Sequence, residues 1–179
     1  RKIKSLDVST KSGVMQFESD FFIDTTGDGE LIEMTGCDYQ LGRESDGLCQ
    51  PMTTCFRMCG VDIPKFIEDK DMLLKKYNQY QNEGKIINPR ENILVFLGLG
   101  DGIVHFNTTR IVKHNPVDPF EITKAEMLGR KQVFEMVEFL KANSDAFKDS
   151  TLVIIAQHIG VRESRKLKGV HILTADEII

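Results

Sequence analysis

The chain has 179 residues, 23 Lys and Arg against 27 Asp and Glu, a net charge of -4 and 41% hydrophobic residues. A chain of this size buries roughly 70% of its unfolded surface, so a core forms without disulfide or metal staples and knot-like secreted scaffolds are excluded. Basic residues are scattered rather than striped, which argues against nucleic acid and against a polybasic membrane anchor, and the apolar runs at 20–24 and 151–161 fall well short of the ~20 residues that span a bilayer.

Arg1 is not a start methionine and no apolar segment follows the first basic residues, so the N-terminus reads as an internal cut rather than a targeting sequence. A cytoplasmic protein is the corresponding expectation. Alternation over 3–10, a turn at Lys11-Ser12-Gly13 and the apolar residues of 14–17 predict a β-hairpin. Phe21-Phe22-Ile23 is an unbroken apolar run and predicts a strand buried on both faces, ending in Thr25-Thr26-Gly27-Asp28-Gly29. A short helix over 30–35 then stops at Gly36. The polar, Gly-rich stretch 38–50 reads as an ordered loop, and 52–61 as a strand.

Pro64 opens a helix that runs to 81 and ends at Asn82-Glu83-Gly84. The apolar runs 93–99 and 103–107 flank Gly100-Asp101-Gly102, a strong hairpin signal. Thr123-Lys124-Ala125-Glu126 has the spacing of a capping box and predicts a long helix to 142. Periodicity leaves 151–161 open between helix and strand, and Thr174 starts a last helix. Together these elements describe an α+β fold.

Chemistry concentrates in three places. At "FFIDTTGDGE", Gly27 and Gly29 permit close backbone approach, and the helix that follows presents amides suited to a phosphate; a tight strand-to-helix connection is the plainer reading of the same residues. An EF-hand reading of Asp24, Thr26, Asp28 and Gly29 fails because the twelfth position is Thr35 rather than Glu. The second place is a pair of arginine motifs, "FNTTR" with Asn107 and Arg110, and "GVRESRKLKG" with Arg162 and Arg165. Their guanidinium forks would grip an anionic substrate if they converged, whereas ion pairs with Glu163 or Glu121 are the alternative. The third is the loop 42–54, where Gly47 and Gln50 suit a ligand contact or an Ω-loop.

Cys37, Cys49, Cys55 and Cys59 lack C-x-x-C spacing and read as buried free thiols, with no metal site expected. His105, His114, His158 and His171 are dispersed, with no H-x-x-x-H pattern or expected carboxylate partner. "GLGDG" at 98–102 precedes no helix and is only superficially a nucleotide fingerprint.

Four motifs in order, "FFIDTTGDGELIEMTGCDYQLGRESDGLCQPMTTCFRMCGVD", "VHFNTTRI", "ITKAEMLGRKQVFEMVEFLK" and "IGVRESRKLKGVHILTADEI", resemble the middle segment of the bacterial FAD-dependent oxidoreductase family, within the glutathione-reductase-like flavoproteins. The resemblance runs nearly end to end and is weakest over 64–95. It implies a Rossmann-type FAD domain interrupted by a substrate domain, with 1–37 a remnant of the former, 38–170 a substrate domain of mixed or antiparallel sheet and packed helices, and 171–179 a return toward the FAD domain. An Ala-Thr-Gly-Asp motif of that superfamily is matched by Thr25, Thr26, Gly27 and Asp28, with Thr in the first place. Thr26, Gly27, Asp28 and Gly29 are then the FAD-binding candidates, and Asn107, Arg110, Arg162 and Arg165 the substrate-binding ones. A G-x-G-x-x-G fingerprint is missing, so the isolated chain is expected to be inactive, and no residue stands out as the catalytic base. A non-catalytic module that binds a ligand or partner through the same arginines is the competing expectation.

Overall fold

The computed structural model describes residues 3–178. Its first elements are β1 (Ser5–Thr10), β2 (Gly13–Glu18), α1 (Glu30–Met34), β3 (Tyr39–Leu41), β4 (Phe56–Cys59) and α2 (Ile63–Asn82). They are followed by β5 (Val95–Phe96), β6 (Val104–Phe106), α3 (Pro119–Asn143), β7 (Thr151–Ile155) and β8 (Arg165–Leu167). The strands form small antiparallel sheets beside the three helices, an α+β arrangement. Two compact units result: one comes from both ends of the chain, up to Gly47 and from Ser164, and the other is Leu48–Glu163. The sequence reading places the divisions at 37/38 and 170/171. The pairing of β3 with β8 carries residues on both sides into the first unit.

In the end-derived unit, β1 and β2 pair around Lys11-Ser12, and Gly13 takes the left-handed φ of 103° that the turn needs. The predicted strand at 21–23 is not formed: Phe21 is 87% and Ile23 83% exposed. An apolar run becomes a buried strand only beside another strand, and among the described residues none pairs with it. The helix expected over 30–35 is α1, stopped at Gly36 with φ 67°. The stretch 38–50 is not all loop, since it contains β3. Three residues are too few to show a period, and their partner strand lies at the far end of the chain. At Thr174 the chain makes one 3-10 turn, Ala175–Glu177, in place of the helix predicted there.

The Leu48–Glu163 unit is built on a four-stranded sheet in the order β5-β6-β4-β7. Its central strand is shorter than the predicted 52–61, for a local reason. Across 53–55 the Thr109 hydroxyl replaces the ladder, accepting from the Thr54 amide at 2.8 Å and donating to the Thr54 carbonyl at 3.0 Å. Backbone pairing resumes between Met52 and Ile111. The open question at 151–161 resolves as strand β7 against β4, followed by a bridge from Gly160 to Thr53. The hairpin predicted around 100–102 is present as β5 and β6, with Phe96 opposite His105.

Helix α2 starts one residue ahead of Pro64, where the Asp62 side chain accepts from the Lys65 amide at 3.1 Å. Helix α3 starts earlier than expected. Asp118 caps it, accepting from the Phe120 and Glu121 amides at 2.9 Å each, with Pro119 in the first turn. The capping box predicted at Thr123 is therefore not made: the Thr123 hydroxyl donates back to the Pro119 carbonyl at 2.8 Å, and Glu126 reaches the Ile159 amide at 2.7 Å. Both helices cover one face of the sheet. Phe56 and Phe106 stack with centroids 4.6 Å apart, and in the same core Phe66 meets Phe147, and Tyr77 meets Phe139, edge to face. Burying one such ring contributes roughly 1.5–3 kcal/mol.

Candidate functional site

The TTGDG turn lies in the end-derived unit and is organised by Asp24. Its carboxylate accepts from the Thr26 amide at 3.0 Å, the Thr26 hydroxyl at 2.8 Å and the Ile32 amide at 3.2 Å. Those bonds, led by the Thr26 amide, hold the Asp24 carboxyl below its usual range. Thr26 continues the network, its hydroxyl oxygen accepting from the Gly29 amide at 3.1 Å and the Glu30 amide at 3.2 Å. The start of α1 is thus filled by the chain's own oxygens. A phosphate reaching the Gly29, Glu30 or Ile32 amide would have to displace the Thr26 hydroxyl or the Asp24 carboxylate.

Space remains at the outer edge of the turn. Gly27 has φ 94°, and a Cβ placed there would meet nothing within 4 Å. Its carbonyl accepts from the Ser164 hydroxyl at 3.2 Å, and the Asp28 carbonyl accepts from Arg165 Nη1 at 3.0 Å. Gly29, with φ 66°, is closed in: a Cβ would stand 3.2 Å from Ile32 Cδ1 and 3.6 Å from Arg165 Cβ. Arg165 therefore sits on the cofactor-candidate turn, in the end-derived unit, where its guanidinium also lies 5.7 Å from the Tyr39 ring centroid. Its Nε is buried without a hydrogen-bond partner.

The other three substrate candidates belong to Leu48–Glu163. Arg110 binds both carboxylate oxygens of Glu91, at 2.7 and 2.8 Å, rather than Glu163 or Glu121. Its backbone is clamped by Gln132, which accepts from the Arg110 amide at 2.9 Å and donates to its carbonyl at 3.0 Å. Asn107 Oδ1 is buried with no partner. Arg162 is exposed. Sequence reasoning missed Arg90, whose guanidinium is pushed down first by burial and then by the charge of Arg110, with Arg162 acting in the same direction. Asn88 holds that loop in place, donating to the Thr108 carbonyl at 3.0 Å and accepting from the Arg90 amide at 3.2 Å. Arg90 stands just before Glu91 in "NPREN", a signal too short to stand out. Gln132 left a better one, a polar residue at helical spacing within an otherwise apolar face.

The expected isolation of the histidines from carboxylates is corrected at two positions. His114 Nδ1 lies 2.9 Å from Glu121, and His171 Nε2 lies 3.0 Å from Glu177. Nor are all the cysteines buried: Cys37 is exposed and the other three are half-buried, all of them free thiols. Burial pushes the Cys55 thiol up, which favours its unreactive protonated form. Among the described residues no group of three His, Cys, Asp or Glu side chains has a metal-holding arrangement, and no helix is long and apolar enough to cross a membrane.

No curated protein and no solved structure matches the chain. The family model described as FAD dependent oxidoreductase matches residues 1–179, so the chain belongs to the FAD dependent oxidoreductase family.

Proposed function

We propose that the chain is the substrate-recognising part of a glutathione-reductase-like flavoprotein, with a cofactor-contacting turn supplied by the end-derived unit. The observation that carries this reading is the coincidence of the family match with an open, left-handed backbone at Gly27 in the TTGDG turn. When bound, FAD supplies hydride exchange with a small-molecule substrate. Thr26, Gly27, Asp28 and Gly29 are the residues that would meet it. Because the Asp24 carboxylate and the Thr26 hydroxyl already accept from the Thr26, Gly29, Glu30 and Ile32 amides, the turn fits a neutral or hydroxylated part of the dinucleotide, packed against the bare Gly27 edge, better than a phosphate at those amides. Ser164 and Arg165 position that edge through the Gly27 and Asp28 carbonyls.

On the substrate side, Arg90, Arg110 and Arg162 provide positive charge for an anionic substrate, Arg110 exchanging its Glu91 partner for it, while the buried Asn107 Oδ1 is an acceptor for a substrate O–H or N–H. Lacking a G-x-G-x-x-G fingerprint, the 179-residue chain is inactive by itself. The test is the visible absorbance spectrum of the intact protein that carries this chain. Flavin bands are expected in the parent, reduced flavin content in Gly27→Val, and parent-like flavin content with impaired turnover in Arg110→Ala. A parent without flavin bands would sink the oxidoreductase reading and leave a ligand-binding module.

A further inference from the structure

The sheet of Leu48–Glu163 has a second face that neither helix covers. Pairing registers Phe96 with His105, His105 with Arg57, and Arg57 with Ile154, so one row of side chains crosses all four strands. The residues alternating with them, Phe56, Met58, Val104 and Phe106, are buried in the core, which turns the row outward. Phe96 is 51% and Ile154 52% exposed, and between these two apolar ends lie a guanidinium and an imidazole. Asn107, two residues beyond His105, follows the same alternation.

Two details make the row more than exposed surface. Arg57 Nε donates to His105 Nδ1 at 3.4 Å, which fixes the imidazole with Nδ1 as acceptor and leaves Nε2 carrying the proton. Burial, and next the Arg57 charge, hold that imidazole below its usual value, so it stays neutral and donates one hydrogen bond. Arg57 has His105 as its partner, and among the described residues no carboxylate pairs with it. The centre of the row thus offers an uncompensated positive charge and outward N–H donors, with apolar contact on both sides.

We propose that this face binds a small monocarboxylate with an apolar body, its oxygens received by Arg57 and by Nε2–H of His105, its body lying against Phe96 or Ile154. This carboxylate site is built from residues other than Arg90, Arg110 and Arg162 and stands independently of the reading above, since no flavin enters it. The tilted Phe96 ring, 5.9 Å from the His105 ring, offers a surface for a planar aromatic body.

The experiment is an NMR titration of the 179-residue chain with benzoate, and with benzylamine as the cation of the same shape. Saturable benzoate shifts at Arg57, His105 and Phe96, at least about tenfold weaker in Arg57→Gln and unchanged in Lys148→Ala, would establish the site. Long-range nitrogen spectra should show the His105 proton on Nε2. Equal binding of benzylamine, or benzoate binding that survives Arg57→Gln in a chain of parent-like circular dichroism, would overturn it. So would a dimer in sedimentation that Arg57→Gln dissociates, because the face would then belong to a second copy. Benzoate binding in an intact protein that lacks flavin supports the carboxylate site while removing only the oxidoreductase reading.

Discussion

The two units are held together by different forces. Every buried hydrophobic side chain among the described residues lies between Met52 and Ile159, inside the Leu48–Glu163 unit. The end-derived unit buries none. It relies instead on two small ladders, on the Asp24 and Thr26 network, and on Arg165 gripping the Asp28 carbonyl. Apolar burial is non-directional and large in sum, whereas each hydrogen bond contributes only about 1 kcal/mol net. The Leu48–Glu163 unit is thus a stable platform, and the end-derived unit a shaped polar turn whose geometry depends on a few named bonds.

Substitutions sharpen this contrast. The largest effect is expected at Phe56, fully buried and stacked on Phe106: Phe56→Ala should cost about 3–5 kcal/mol, against less than about 0.5 for Phe21→Ala at its exposed position, as read from urea unfolding. Equal losses at both sites would break the comparison. Gln132→Leu should follow, because it strands both the amide and the carbonyl of Arg110 in a partly buried setting, at a cost of about 1–3 kcal/mol, and Arg110 should lose its fixed position.

Gly129→Ala comes next. A Cβ there would collide with the Thr54 hydroxyl, an overpacking of about 1–3 kcal/mol that outweighs the roughly 1 kcal/mol gained in helix propensity. Calorimetry should show a lowered melting temperature, partly restored in Gly129→Ala/Thr54→Ala. The smallest effect belongs to the other unit and to pH. Asp24 is depressed in the folded state, so its contribution is complete above the ordinary carboxylate value of about 4 and fades as pH falls through the folded value. Acid should lower the protection factors, exchange relative to the intrinsic rate at the same pH, of the Thr26 and Ile32 amides, while those of the central sheet stay high.

What could be read from sequence was what is decided locally. The Gly13 turn, the Gly36 stop, α2 with its Pro64, and the hairpin around 100–102 each rest on a few adjacent residues. Misreadings arose where a distant partner decides. Phe21-Phe22-Ile23 lacks a neighbouring strand, β3 waits for β8, and the Thr109 hydroxyl interrupts a strand whose own residues show no break. Asp118-Pro119 overrode the Thr123 box because a helix takes the earlier competent start. The candidate site divides in the same way: the TTGDG turn was visible as a motif, but its occupation by Asp24 was not. Arg57 and His105 meet only through strand register, which the positions of single residues do not reveal.

In the proposed function the turn at 26–29 meets the cofactor, while the Leu48–Glu163 unit does not require it to fold. Hydrogen exchange on the intact flavin-loaded protein, and again after flavin removal, tests this most directly. Amides at 24–30 should lose protection on removal, while β4, β6 and β7 keep theirs. Unchanged exchange at 24–30, with protection lost across the central sheet instead, would contradict it.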